Sequence, residues 1–155
     1  MNLSFVEIDL QSEEHVNALI RLLDVYMRDP MGSSSPMPEG LDSKIIEGLR
    51  NYPSYLGFFA KLDGEFAALA NCNKNFSTFK AMPLINIHDF IVHPDFRGKG
   101  VGQFLLNQIA AYGMKQGFCR VNLEVRHDNQ NAKSLYEKAG FTECNPPMHF
   151  WERLW

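Results

Sequence analysis

The sequence predicts one α/β (α+β) domain, and three observations carry that prediction. A chain of 155 residues, 45% hydrophobic and 21% charged, has the make-up of an ordinary globule. At that length a single core buries roughly two-thirds of the unfolded surface. Apolar residues alternate at a period of two in several short runs and recur at helical spacing in others, the two kinds interleaved along the chain. Two of the helical patterns begin just after strand patterns, at polar or glycine-rich turns. No repeat, low-complexity tract or linker divides residues 1–155.

The elements follow in order. Residues 3–10 predict a first strand. Ser12 caps a helix with Glu13 and Glu14 in its first turn and Val16, Leu19, Ile20, Leu23, Tyr26 and Met27 on one face. Asp29 to Gly40, with three prolines and three serines, is a loop, and Asp42 starts a shorter helix through Ile45, Ile46 and Leu49. Leu56, Phe58, Ala60 and Leu62 alternate into Asp63-Gly64, a hairpin turn, and Phe66, Ala68, Ala70 and Cys72 form the returning strand. Leu84 to Val92 is an apolar strand, after which a helical pattern runs to about Gln116. Val121, Leu123 and Val125 alternate with Asn122, Glu124 and Arg126, giving another strand. Ala132, Leu135, Tyr136 and Ala139 form a helical stripe, with Asp128 or Asn129 as its N-cap and Gly140 as its C′ residue. Alternation from Met148 to Trp155 predicts a last strand, in a hairpin with Phe141–Cys144.

Bulk properties exclude several classes. A net charge of −3 without a basic cluster argues against a nucleic-acid partner. The segment Met1–Glu7 lacks the basic and apolar regions of a signal peptide, and no apolar run is long enough to span a bilayer. Three widely spread cysteines, Cys72, Cys119 and Cys144, read as free thiols in a reducing cytoplasm. His15, His93, His127 and His149 share no metal-ligand spacing, so no metal is expected.

The most informative stretch is Val92-His93-Pro94-Asp95-Phe96-Arg97-Gly98-Lys99-Gly100-Val101-Gly102. Three glycines and two cations stand where a helix begins. Glycines admit positive φ and let backbone N–H groups approach an anion, and the helix start adds unpaired donors and partial positive charge. A pyrophosphate cradle is the expected use. A P-loop requires Lys followed by Ser or Thr at its end, whereas Gly102 is followed by Gln103 and Phe104. A dinucleotide fingerprint requires Gly-x-Gly-x-x-Gly in the first βα unit, and Gly98, Gly100 and Gly102 are spaced two and two.

The remaining pattern, Arg97-x-x-Gly100-x-Gly102, resembles the acyl-coenzyme A motif of the GNAT superfamily of N-acetyltransferases. Downstream, Asn129-Gln130-Asn131-Ala132-Lys133-Ser134-Leu135-Tyr136-Glu137-Lys138-Ala139-Gly140-Phe141 resembles the second signature of that superfamily. The likeness covers roughly residues 84 to 144 and, more loosely, the whole chain. It implies the GNAT fold, a mixed central sheet of about seven strands flanked by about four helices. It also implies transfer of an acetyl group from acetyl-coenzyme A to a primary amine.

Roles carried by the resemblance fall on particular residues. Gly98, Lys99, Gly100, Val101, Gly102 and Gln103 would wrap the pyrophosphate, with Arg97 and Lys99 offering charge. Phe90, Ile91 and Val92 would pair their main chain with the peptide-like pantetheine arm, as an exposed strand edge pairs with another strand. Asn129, Asn131 and Ala132 would add contacts at the second motif, where Asn129 is equally a helix cap. Tyr136 would donate a proton to the departing thiolate; its place on an apolar stripe also suits plain packing. For the base that deprotonates the amine, His88, Asp89 and Glu124 stay open. His88 and Phe90 lie two apart, so an unbroken strand turns them to one face and Asp89 to the other. Tyr26 and the loop to Met37, together with Phe76 and Phe79, are expected to border the acceptor. A small-molecule amine is preferred, since no groove of peptide length is evident. A protein acetyltransferase and a non-catalytic acyl-coenzyme A sensor remain the alternatives. The late strand carries Trp151 and Trp155 on one face and Phe150 and Leu154 on the other, which predicts a homodimer.

Overall fold

A computed structural model describes residues 1–155. The strands are β1 (Leu3–Glu7), β2 (Tyr55–Leu62), β3 (Glu65–Ser77), β4 (Met82–Val92) and β5 (Val121–Leu123). The helices are α1 (Glu13–Arg28), α2 (Leu41–Arg50), α3 (Val101–Gln116) and α4 (Gln130–Lys138), with a single 3₁₀ turn at Pro94–Phe96. The five strands form one mixed sheet in the order β1-β2-β3-β4-β5, antiparallel except for the β4–β5 pair. That parallel pair is joined through α3, as parallel neighbours need a crossover.

Helices cover both faces of the sheet. On one face, α3 contributes Val101, Leu105, Leu106 and Ile109 to a core with Phe58, Ala70, Cys72, Ile85 and Ile87. Phe58 is sandwiched there between Phe5 and Tyr112, each at a ring-centroid distance of 4.9 Å. On the other face, Leu19, Leu22 and Leu23 of α1 and Ile46 of α2 pack on Phe59, Leu69 and Ile91. Local signals set the helix ends: Ser12 Oγ accepts from the His15 amide at 3.3 Å, and Asn129 Oδ1 accepts from the Ala132 amide at 3.1 Å. The Asp63-Gly64 turn has positive φ at both residues, as a tight two-residue hairpin demands. No helix is long and apolar enough to cross a membrane.

One irregularity shapes everything near the end of β4. Asn71 of β3 pairs with Asp89, but its neighbour Cys72 pairs with Ile87. His88 is therefore an extra residue, a β-bulge, and the period of two breaks there. Ile85 and Ile87 face α3, and so do Phe90, three residues beyond Ile87 and not two, and then Val92. Ile91 faces α1, and Asp89, two residues earlier, shares that side. The expectation of an unbroken strand is corrected accordingly: Asp89 and Phe90 are on opposite faces, but His88 belongs to neither regular set.

The sheet departs from the expected one in two further places. Pairing of β5 with β4 stops at Leu123–Ile87, so the alternation that continues to Arg126 is not a strand there. The final hairpin, Phe141–Cys144 with Met148–Trp155, is absent, which leaves five strands instead of about seven. Alternation supplies two faces, but a strand also needs a hydrogen-bonding neighbour. Residues 142–155 make no backbone hydrogen bond with the rest of the chain.

Candidate functional site

Beyond the bulge, β4 turns away from the chain that follows β5. The gap is a cleft of about 910 Å³, in the size range of ligand pockets. One wall is the end of β4, with His88, Phe90, Ile91 and Val92; the other is the segment Leu123, Glu124, Val125 and Arg126. Along this stretch the β5-facing side of β4 has no strand neighbour, since the ladder has ended at Ile87. An unsatisfied strand edge can hold an extended, amide-bearing ligand.

At the head of the cleft the chain leaves β4 through the 3₁₀ turn and enters α3. Gly98 and Gly100 have φ of +74° and +78°, the left-handed region that glycine tolerates without strain. Gly100 is the N-cap of α3 and supplies no side-chain cap. The amides of six consecutive residues, Gly98 through Gln103, find no acceptor within the chain. Helices α1 and α4 satisfy their first turns with Ser12 and Asn129, whereas α3 leaves its donors open at the cleft. Oriented N–H groups at a helix start are an anion site. A Cβ built at Gly98 or Gly100 meets nothing within 4 Å, so the space beside them is open to a ligand.

Side chains near this cradle have defined partners. Arg97 Nε donates to the Val92 carbonyl at 3.0 Å, and its Nη2 pairs with Asp29 Oδ2 at 3.0 Å. The Asp29 carboxyl is held below its ordinary value by the Met31 amide and, after the opposing effect of burial, by Arg97. Arg126, on the opposite wall, reaches the Pro30 carbonyl at 3.5 Å and clasps Asp128 with two bonds of 3.0 and 2.8 Å. The loop after α1 thus bridges the two walls. With Arg97 half exposed, the Asp29 pair contributes roughly 1 kcal/mol or less. A doubly charged pyrophosphate is able to compete with it.

Tyr136 lines the cleft from α4, with its ring edge-on to Phe90 at 6.1 Å. Burial, and then the neighbouring Tyr26, push its phenol up to about 12, so it stays protonated throughout the neutral range. Tyr26 enters from α1; burial raises its phenol first, followed by the carboxylates of Asp89 and Asp29, with Arg126 opposing. Tyr26 therefore stands between the Tyr136 side of the cleft and the carboxylates on the α1 side.

The structure brings together most of the residues singled out from sequence. His88, Phe90, Ile91, Val92, Arg97, Gly98, Gly100, Val101, Gly102, Gln103, Glu124, Asn129, Asn131, Ala132, Tyr26 and Tyr136 all line the one cleft. Asn129 is also the α4 cap, and Gln103 Nε2 donates to the Lys138 carbonyl at 3.3 Å, tying the two helices together. Lys99 is not part of the lining; its ammonium stands 5.5 Å from the Phe96 ring. Asp89 lies on the α1 face, hydrogen-bonded by Asn71. Phe76 and Phe79 are not brought to the cleft. They sit at the β3–β4 hairpin, at the far end of β4, and Phe79 is fully exposed. Asp29 and Pro30 belong to the loop to Met37 expected beside the acceptor, whereas the contact of Arg126 with that loop has no signal in the sequence, since a contact across two walls leaves no local pattern. No three His, Cys, Asp or Glu side chains converge as a metal site.

Comparison with known proteins agrees with this geometry. The sequence model of the acetyltransferase (GNAT) family matches residues 19–141. An uncharacterized N-acetyltransferase of Methanocaldococcus jannaschii is 35% identical over 89 residues, 56% of this chain and 39% of that protein. The uncharacterized N-acetyltransferase YhfO of Bacillus subtilis is 29% identical over 112 residues, 72% of this chain and 74% of its own length. The chain thus spans well under half of the first of these relatives and about three quarters of the second. Among solved structures, an aminoglycoside acetyltransferase from an uncultured soil metagenomic sample, in complex with sisomicin, superposes with a TM-score of 0.79 at 18% identity, covering 98% of this chain and 96% of that one. A ribosomal-protein-alanine N-acetyltransferase from Brucella melitensis gives 0.80 at 16% identity, covering 99% and 100%. AAC(6')-Iy with a bisubstrate analog, CoA-S-monomethyl-acetylneamine, gives 0.75 at 15%, covering 99% and 100%. At such identities these likenesses establish the fold.

The open cradle yields a direct test. Gly100→Asp places a negative charge among the orphan amides; its Cβ meets no neighbour, and the strain of a φ of +78° is smaller for aspartate than for most residues. The variant should fold and lose acetyl-coenzyme A binding by at least about tenfold in calorimetry, a ~1.4 kcal/mol effect. Normal affinity in a folded Gly100→Asp would mean the anion binds elsewhere.

Proposed function

Because the chain belongs to the GNAT acetyltransferase family and is by that membership an acyltransferase, we propose that it transfers the acetyl group of acetyl-coenzyme A to the primary amine of a small molecule, in a ternary complex. The single observation that carries this reading is the alignment of an orphan-amide cradle, an open strand edge and a protonated phenol along one cleft.

Each residue has a task in that reaction. The amides of Gly98 to Gln103 and the Arg97 guanidinium hold the pyrophosphate. The open edge of Phe90 to Val92 holds the pantetheine arm and directs the thioester toward Tyr26 and Tyr136. The amine reaches the thioester carbon after giving up a proton to one of His88, Asp89 or Glu124. As the C–N bond forms the C–S bond breaks, the departing sulfur takes the Tyr136 proton, and the new amide nitrogen gives up its second proton through water to the Tyr136 oxygen. A phenol near 12 is a weaker acid than a thiol of about 8.5 in water. The same desolvation acts on a thiolate released in that cleft, as it does on Cys72, whose thiol burial pushes up. The pair therefore stays closer in proton affinity than the aqueous values suggest. The carboxylates of Asp89 and Asp29 beside Tyr26, opposed there by Arg126, together with Glu124 elsewhere on the cleft wall, favour a cationic acceptor.

Location and assembly belong to the same reading. Three unpaired cysteines fit a reducing cytoplasm. Two copies of the chain pair through residues 142–155, with the whole of 1–155 acting as one domain. What supports the pairing is that this segment has no backbone partner, exposes Phe150, Trp151, Leu154 and Trp155, and coexists with an open edge on β5.

Two outcomes are expected. Tyr136→Phe should keep acetyl-coenzyme A affinity while thiol release with an amine acceptor falls on the order of a hundredfold, the loss of a general acid. Since the phenol ionises only near 12, wild-type turnover should show no alkaline loss from this group up to about pH 10. Unchanged turnover in Tyr136→Phe would leave the ring a packing role, and acetyl-coenzyme A binding without transfer to any amine would make the chain a sensor. Light scattering should give the mass of two chains for residues 1–155 and of one chain after truncation at Gly140. A single-chain mass before truncation refutes the pairing.

A further inference from the structure

Asn71 is the most deeply buried amide side chain on the sheet, 6% exposed, in a strand otherwise lined with Leu69, Ala70 and Cys72. A polar group in such a place is costly unless its hydrogen bonds are made. Both ends of this amide are engaged. Asn71 Nδ2 donates to Asp89 Oδ2 at 3.0 Å, and Asn71 Oδ1 accepts from the Tyr55 hydroxyl at 2.8 Å. The direction of the chain is dictated chemically. An ionised carboxylate only accepts, so the amide must present nitrogen to Asp89 and oxygen to Tyr55, which must then donate. Burial holds the Tyr55 phenol far above its ordinary value, so its proton is always present.

The seat for that phenol is made by an absence. A Cβ at Gly57 would lie 2.2 Å from the Tyr55 oxygen and 2.7 Å from the Ile8 methyl. Any other residue at 57 displaces the ring that starts the chain. At the opposite end, the His88 bulge rotates Asp89 onto the face where Asn71, its register partner, and Tyr26 of α1 are found. With Oδ2 fixed by Asn71, the other oxygen, Oδ1, has no hydrogen bond inside the protein.

We propose that Tyr55 and Asn71 are positioning residues that hold the Asp89 carboxylate so that its unpaired oxygen receives the proton of the acceptor amine. The inference rests on the acetyltransfer reading above and selects Asp89 from the three bases left open there. The ammonium of the acceptor reaches past Tyr26 to Asp89 Oδ1, which lies on the α1 face just outside the cleft lining, and passes one proton to it. The neutral amine then attacks the thioester, the sulfur leaves with the Tyr136 proton, the nitrogen gives up its second proton through water to the Tyr136 oxygen, and Asp89 returns its proton to water. Neither Tyr55 nor Asn71 touches substrate; both act through the orientation of one carboxylate.

The decisive experiment is a double-mutant cycle read in steady-state kinetics, over a panel of primary amines containing a diamine, an aminoglycoside and an alanine-terminated peptide. Tyr55→Phe removes one hydroxyl and should preserve the fold; Asn71→Ser is the stronger perturbation, checked by thermal unfolding. Both should leave the acetyl-coenzyme A Kd within about twofold and lower kcat, on the order of tenfold for Asn71→Ser and about threefold for Tyr55→Phe. In an Asp89→Asn background both effects should vanish, because the group being positioned is gone. Losses of the same size in that background, or an undiminished kcat in Tyr55→Phe, overturn the inference and leave the acetyltransfer reading intact. Absence of transfer by the wild-type chain to every amine overturns the reading itself, and the inference falls with it.

Discussion

In an uninterrupted parallel ladder, β4 and β5 would stay hydrogen-bonded from Ile85 onward and no cleft would exist between them. The ladder ends at Ile87–Leu123 because the next residue of β4, His88, is extra relative to β3. A bulge bends its strand and increases local twist, and here that bend carries Asp89 to Val92 away from the chain after β5. Three consequences follow from one inserted residue. The far edge of β4 is left unpaired, the cleft opens between the two segments, and the face of every β4 side chain beyond the bulge is exchanged. Phe90 joins the α3 core and Asp89 turns toward α1. The cost is one broken ladder position, and the β3–β4 pairing on both sides of the bulge offsets it.

The chemistry of the cleft depends on how the two helix layers meet this splayed pair. From one layer, α3 and α4 supply the open amides and Tyr136; from the other, α1 supplies Tyr26 and the loop that bridges Arg97 and Arg126. Under the proposed acetyl transfer, donor and acceptor would approach from opposite sides of the sheet and meet where it is open. A flat, fully paired sheet would keep those sides apart.

Much of this was legible in the sequence because it is written locally. Ser12, Asn129 and Gly140 terminate helices through contacts within a few residues, and Gly98 and Gly100 mark a left-handed turn whatever surrounds it. The glycine turn and the second motif therefore fall on the elements expected for them. What was not legible depends on partners distant in sequence. The alternation through Arg126 looks like a strand, but the bulge on a different strand decides that pairing stops at Leu123. The pattern of Met148 to Trp155 is equally strand-like, yet it pairs with no strand, although the outer edge of β5 is free. Phe76 and Phe79 lie too far along the β3–β4 hairpin to reach the cleft, because β3 continues to Ser77, past the end that its apolar alternation marks at Cys72. The role of Asn71 had no signal at all, since a single asparagine in an apolar strand becomes informative only beside Asp89 and Tyr55.

Backbone hydrogen exchange, with and without acetyl-coenzyme A, tests most directly whether the opening made by the bulge is where the donor binds. Bound ligand should slow exchange at the amides of Phe90 to Val92 that lack a β3 acceptor and at Gly98 to Gln103, with no change at the β3–β4 hairpin around Phe79. Tight binding that leaves both stretches unprotected, or that protects the hairpin instead, would contradict it.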